Sequence, residues 1–334
     1  MNITRAGKLV AAFAATALLA TACGSSGAED SGSAADEAKP VKIGISQYVT
    51  HPSLDAVTKG FKEGMADAGY TGDKVTYDLQ NPQADASTNT AIMGQFANDD
   101  LDLVLAIATP TAQAAAQAIT DTPVLFSAVT DPVAAKLVDS NEAPGGNVTG
   151  TSDKNPVKEQ LQLLQEIAPE AKTVGIVYSS GEVNSAVQVE WAKEAAAELG
   201  LEIKEATISA SSEVQQAASS LDVDAFYVPT DNAVVSALEG LLQTAQSKKI
   251  PVIAADGDSV KRGATATYGI NYEKLGKQTA EMAVKILKDG AKPADMPVET
   301  LTDVDLYVNT AAAKKVGVEI PQELLDKAAE VYKK

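Results

Sequence analysis

The 334-residue chain predicts two α/β lobes, each a parallel sheet flanked by helices, with a hinge between them. Three observations carry this. Apolar strand-length runs alternate with helix-length amphipathic segments along nearly all of the chain after residue 40. The stretch 101–117, LDLVLAIATPTAQAAAQ, reads as a buried strand passing through a Thr-Pro-Thr break into a helix, and 223–238, VDAFYVPTDNAVVSAL, repeats that pattern. The flanking pieces repeat too: 41–70 parallels 172–201, and 121–132 parallels 249–259. A chain of this length also exceeds what one core usually organises.

The amino terminus stands apart from this repeat. Arg5 and Lys8 precede an apolar run from Leu9 to Ala20, then Thr21, Ala22 and Cys23, which is the layout of a secretory signal over residues 1–22. Cys23 is the only cysteine, so no internal disulfide can form. Its place after small residues resembles a bacterial lipobox, with Ala20 where leucine is usual, and implies a lipidated first residue that anchors an exported protein. Residues 23–40 are small, polar and acidic, and predict a flexible tether.

The first lobe is expected over 41–152 plus 257–303. Val41 to Ser46 is its first strand, and Leu54 to Ala68 a helix with Leu54, Val57, Phe61 and Met65 on one face. A strand at Val75 to Leu79, a helix at Ala86 to Ala97, the 101–117 strand and helix, and a strand at Val124 to Ser127 follow. After a turn at Asp131-Pro132 and the Gly-rich loop 144–150, the chain crosses between lobes near Thr151 to Asp153.

The second lobe is expected over 153–256 plus 304–334. Its strands are Thr173 to Tyr178, Ile203 to Thr207, Ala225 to Val228 and Val252 to Ala254. Its helices are Ser185 to Leu199, Ser212 to Ala218 and Ala233 to Lys248. After Gly257 the chain is expected back in lobe one, where Tyr272 to Lys288 is strongly amphipathic. Leu301 to Val308 and Pro321 to Tyr332 complete the chain.

Composition narrows the function. A hydrophobic fraction of 45% allows a large core, and aromatics at 4% leave Ala, Val, Leu and Ile to fill it. The formal charge is −18, and loss of Arg5 and Lys8 with a signal would make it −20 (−18 − 2). That balance argues against nucleic acid as a partner, because phosphate binding needs dense Lys and Arg. His51 is the single histidine, and no nucleophile elbow, phosphate loop, dinucleotide fingerprint or metal-ligand spacing is present. No enzyme, cofactor or metal is therefore expected.

In open parallel sheets, ligands bind beyond the carboxyl ends of the strands. The loops there are 47–53, 109–111, 127–131, 179–185, 230–232 and 256–258, and they are rich in hydroxyls, amides and carboxylates. The helix start at Thr109 to Ala112 and the loop Ser127 to Thr130 make anion seats from hydroxyls and backbone N–H groups. Asp231 and Asp256 place negative charge at the facing strand ends, suited to an ammonium group. Arg262, the only arginine after residue 5, lies outside these loops. An anion seat opposite a carboxylate suits a zwitterion, with Asp231 expected to take the ammonium and Thr109 and Ser127 the carboxylate. Tyr48, Tyr178 and Tyr268 are aromatic candidates for the cleft wall, and each is equally compatible with plain packing. His51 reads either as a turn residue or as a cleft residue.

The runs HPSLDAVTKGF, LDLVLAIATPTAQAA, PVLFSAVTDPVAAKLV, GGNVTGTSD, VDAFYVPTDNAVVSALE and INYEKLGKQTAEMA resemble the TrpX-like family of ABC-transporter substrate-binding lipoproteins. The resemblance implies a type I periplasmic-binding-protein fold with two Rossmann-like lobes. It also implies delivery of a captured solute to a membrane permease and its ATPase, and anchorage through Cys23 on the outer face of the cell membrane. The family name implies tryptophan or another aromatic amino acid. By matched motifs it points to Thr109, Thr111 and Ala112, to Ser127 and Thr130, to Asn184 and Ser185, and to Asp231 and Asn232. Tyr48 and Asp256 complete the expected ligand-binding set. Same-fold receptors for another amino acid, a nucleoside or a sugar, and a ligand-sensing partner of a membrane kinase, are the alternative readings.

Overall fold

The computed structural model describes residues 39–301 and 303–333. Cys23, the predicted signal and nearly all of the tether lie outside the described residues. No helix among those described is long and apolar enough to cross a membrane.

The first lobe opens with β1 (Val41–Gln47), α1 (Pro52–Asp67), β2 (Val75–Gln80), α2 (Ala86–Phe96), β3 (Leu103–Ile107), α3 (Thr109–Ala118), β4 (Val124–Val129) and β5 (Val148–Ser152). The chain then crosses to α4 (Val157–Ile167), β6 (Thr173–Ser179), α5 (Val183–Leu199), β7 (Glu202–Ile208), α6 (Val214–Ser220), β8 (Ala225–Val228), α7 (Asn232–Ser236), α8 (Leu238–Lys248), β9 (Val252–Ala254), α9 (Gly257–Arg262) and β10 (Ala266–Gly269). It returns with α10 (Tyr272–Asp289) and β11 (Glu299–Thr300), and ends with β12 (Asp305–Asn309), α11 (Thr310–Val316), α12 (Gln322–Lys327) and β13 (Glu330–Tyr332).

Two sheets result, in the orders β11-β5-β4-β3-β1-β2 and β13-β12-β10-β9-β8-β6-β7. Every pairing is parallel except β10 with β12. In both sheets the order reverses beside the first strand, between β1 and β3 and between β6 and β8, and such reversals open a crevice at the carboxyl ends. The central strands β3, β4 and β8 are buried at every residue, as continuous apolar runs covered on both faces must be. The edge strands β2 and β7 are largely half-exposed or exposed.

Each sheet carries a core on both faces. Under α1 and α10, Ile43, Ile45, Val57, Phe61 and Met65 meet Leu275, Met282 and Ile286. Under α2 and α3, Phe96, Val104, Phe126 and Ala115 form the opposite layer. In the second lobe, Val228, Leu238 and Leu241 fill one face and Leu161, Leu164, Ile176 and Tyr227 the other. Helices α1 and α10 touch backbone to backbone. A Cβ on Gly60 would stand 2.0 Å from the Glu273 carbonyl oxygen, and one on Gly276 would stand 2.2 Å from that of Val57. Only glycine permits that approach.

Several boundaries differ from those expected. The return to the first lobe falls at Ile270–Asn271, later than Gly257, because β10 pairs with β9 and β12 and carries α9 with it into the second sheet. Nothing in the short apolar run Ala266–Gly269 says which sheet it will extend. The segment expected at Leu301 to Val308 yields β12, while β11 precedes it in the first sheet. Pro321 to Tyr332 divides into α12 and β13. The helix expected from Ala233 to Lys248 breaks at Ala237, whose φ of −114° and ψ of 27° are not helical. Helix α4, with Val157, Leu161 and Leu164 buried on one face, was absent from the sequence reading.

Candidate functional site

The carboxyl ends of the strands in both lobes face one cavity, lined by residues from each. In the first lobe, the loop after β1 is held by Gln47, whose side-chain amide donates to Val49 O at 3.0 Å and Asp55 Oδ1 at 2.6 Å and accepts from Thr58 Oγ1 at 2.6 Å. The loop so fixed presents His51, Ser53 and Leu54 to the cavity.

The turn from β3 into α3 supplies the next wall. Ala108 lies at φ 78° and ψ 152°, a region that essentially only glycine visits, and Ala128 at the end of β4 has φ 56°. Both line the cavity. The start of α3 has no side-chain cap and Pro110 has no N–H, so the Thr109 and Thr111 N–H groups and the positive end of the dipole are left for another acceptor. The hydroxyls of Thr109 and Thr111 are buried without a partner.

Two carboxylates complete the polar lining. Asp153, in the crossing after β5, accepts from Thr130 Oγ1 at 3.2 Å and from the Tyr272 hydroxyl at 2.8 Å. Its complete burial, with a smaller contribution from Asp256, pushes its pKa up to about 6 despite these hydrogen bonds. Asp256 caps α9, accepting from Ser259 N at 2.8 Å and Ser259 Oγ at 2.7 Å. It also accepts from Ser53 Oγ of the opposite lobe at 3.0 Å. Among the described residues, no lysine or arginine lines the cavity.

Two further polar contacts join the lobes at the cavity. Thr130 and Thr230 hydroxyls lie 3.2 Å apart, and His51 Nε2 lies 3.5 Å from Asn232 Oδ1. Behind Asn232 sits Glu182, which accepts from Asn232 Nδ2 at 2.5 Å, Asn184 Nδ2 at 3.0 Å and two backbone N–H groups at the start of α7. Burial, then the neighbouring Asp231, push the Glu182 carboxyl up to about 7. Burial lowers the pKa of the His51 ring.

Of the expected ligand residues, Thr109, Thr130, Asn184, Asn232 and Asp256 line the cavity. Tyr48, Thr111, Ala112, Ser127, Ser185 and Asp231 do not. Asp231 departs most from its expected placement. One of its oxygens accepts from Ser179 N at 2.6 Å and Ser185 Oγ at 2.7 Å, and the other from Val234 N at 2.8 Å. Its charge is thus committed to capping α7 and tying it to β6 and α5, and Ser185 is committed with it. The Ser127 hydroxyl is bonded at 3.0 Å to both Thr151 and Thr279, joining β4, β5 and α10. The Tyr48 hydroxyl donates to Ala84 O at 3.1 Å. Thr111 and Ala112 are wholly buried in α3. Tyr178 reaches Glu205, and neither it nor Tyr268 faces the cavity. Arg262 is held by Glu239 and the Val235 carbonyl.

The sequence reading missed Asp153 and Tyr272, and held Ser53, Glu182 and Thr230 only as loop members. Asp153 lay at the expected crossing, where a lone carboxylate between lobes was a usable signal. Tyr272 reaches the site only because the glycine contact seats α10 on α1, which no local pattern reveals.

A family model described as ABC transporter substrate binding protein matches residues 42–332. The tyrosine-binding protein of Clostridioides difficile (strain R20291) is 45% identical over 287 residues, covering 85% of this chain and 83% of that protein. An ABC domain in complex with L-Trp from Streptococcus pneumonia superposes with a TM-score of 0.85 at 38% identity, covering 88% of this chain and 100% of that one. The ligand-free, open structure of a substrate binding protein with adhesive properties from Clostridium difficile gives a TM-score of 0.68 at 47% identity, with the same coverage.

Proposed function

The chain belongs to the ABC transporter substrate binding protein family, and we propose that it captures an aromatic amino acid as a zwitterion between its lobes. As an extracytoplasmic member of that family it works with a permease and its ATPase.

One observation carries the ligand reading: a cavity without cationic side chains holds Asp153 and Asp256 together with an uncapped helix start. The ligand ammonium would be received by the two carboxylates, which replaces a costly pair of buried like charges with a compensated group. The ligand carboxylate would lie at the start of α3, against the Thr109 hydroxyl and the first-turn N–H groups. Leu54, Val235 and Ala128 offer apolar wall to the side chain. The names of the similar proteins, one binding tyrosine and one solved with L-Trp, support an aromatic ligand.

Capture would proceed by lobe closure about the crossings at Asp153, at Ile270–Asn271 and between β11 and β12. The three polar contacts between lobes around the cavity belong to a closed arrangement. The match to the L-Trp complex exceeds that to the open, ligand-free structure although the latter is closer in sequence, which supports the same reading. Cys23 would carry the lipid that keeps the protein at the membrane, and Cys23→Ala should release it into the medium.

Calorimetric titration of the protein, unfolded and refolded to remove bound solute, against the standard amino acids tests the ligand class. One-to-one binding confined to aromatic amino acids is expected. Heat only with a sugar or a nucleoside would overturn the reading.

A further inference from the structure

Besides the Thr109 hydroxyl, which can itself donate, two polar atoms of the cavity residues have no partner, and both can only accept hydrogen bonds. Asn232 gives its amide nitrogen to Glu182 at 2.5 Å, so the atom it turns toward His51 is its oxygen. The His51 Nε2 facing that oxygen therefore carries the ring proton, and Nδ1 is a bare acceptor with no partner. Burial, which lowers the ring pKa, is consistent with this neutral form. Asn184 is oriented just as firmly, because its Nδ2 lies 3.0 Å from Glu182 Oε2, 2.9 Å from Thr230 O and 3.3 Å from Ser185 Oγ. Its Oδ1 has no partner.

His51 and Asn184 are 7% and 3% exposed and both line the cavity. An unserved buried acceptor is destabilising, so a ligand that brings a donor to it gains what one without a donor loses. The ammonium has Asp153 and Asp256 for its N–H groups, and the ligand carboxylate brings none. The remaining source of a donor is the ligand's side chain.

Resting on the amino-acid reading above, we infer that His51 and Asn184 select an aromatic side chain bearing a hydrogen-bond donor, a phenol hydroxyl or an indole N–H, over one bearing none. A site built to receive a donor discriminates far more strongly than apolar contact does, because the analogue leaves its buried acceptors unpaired.

The test compares L-tyrosine and L-tryptophan with L-phenylalanine, L-4-methylphenylalanine and L-3-benzothienylalanine by calorimetry; the last two keep the shapes of the first two without the donor. The better of tyrosine and tryptophan should bind at least about tenfold more tightly than all three donorless ligands, and His51→Phe should reduce that preference. A preference below tenfold in the unaltered protein would overturn the inference and leave the amino-acid reading intact. Silence toward all five would overturn both.

Discussion

The Ser53 hydroxyl of the first lobe donates to the Asp256 carboxylate of the second across the cavity at 3.0 Å. Both residues are buried, and the bond joins the loop after β1 to the start of α9, so it exists only when the lobes are together. A hydrogen bond to a charged group contributes about 1.5–3 kcal/mol, which here favours closure. Ser53→Ala should therefore enlarge the ligand-free protein in small-angle X-ray scattering and weaken ligand affinity about tenfold. An unchanged scattering profile and affinity would mean the bond is incidental.

Asp231, enclosed within its own lobe, and Asp256, which lines the cavity, should respond differently to neutralisation. Asp231→Asn should lower the thermal midpoint by several degrees, consistent with loss of about 1–2 kcal/mol of helix capping, while ligand selectivity persists. Asp256→Asn should instead weaken amino-acid binding by about a hundredfold, in the range for removing one partner of a buried charge pair. Thermal melting and calorimetry on the two variants distinguish these outcomes; the reverse assignment of effects would restore Asp231 as the ammonium partner.

Asp153 adds a pH dependence with a definite sign. Its carboxyl is raised to about 6 in the folded, ligand-free protein, and only the ionised form attracts an ammonium group. Affinity should be level above pH 6 and fall by up to about tenfold per pH unit below it, as protonation competes with ligand. The same shift acts oppositely on ligand-free stability. A native carboxyl that holds its proton more tightly than the unfolded one contributes stability that declines as pH rises from the unfolded value of 3.8 toward 6. Titrations across this range on the unaltered protein and on Asp153→Asn check both effects, and the asparagine variant should lose both.

Ala108 sits where glycine would be unstrained. Ala108→Gly should raise stability by about 1 kcal/mol, relief of strain exceeding the added freedom of the unfolded chain. Ala108→Val, with a branched side chain at φ 78°, should lower it by more than about 2 kcal/mol. Urea unfolding of the pair measures both signs.

The sequence repeat identified the architecture because parallel sheets write themselves as buried runs: β3 and β8 are each apolar throughout, each followed by a Thr/Pro break and a helix. The same logic located the cleft loops, since ligands gather where strands end. It could not tell which hydroxyls and carboxylates in those loops face inward. Asp231 and Asp256 both cap a helix and both follow a strand, yet Asp231 is enclosed by Ser179, Ser185 and Val234 while Asp256 meets Ser53 from the other lobe. Ser127 likewise disappears into a hydroxyl network with Thr151 and Thr279, a partner 152 residues away. The placement of Ala266–Gly269 escaped the reading for the same reason, because sheet membership is decided by long-range pairing and not by local pattern.

The central claim is that the cavity holds both charged ends of an amino acid, ammonium on Asp153 and Asp256 and carboxylate at the start of α3. The most direct measurement is calorimetric titration of the stripped protein with L-tyrosine, tyramine and 3-(4-hydroxyphenyl)propionate, which share one side chain and differ only in their charged ends. Binding of tyrosine alone, with each analogue at least about a hundredfold weaker, is the predicted result. Tyramine or the propionate binding as tightly as tyrosine would contradict the account, and would identify which of the two charged ends the cavity does not read.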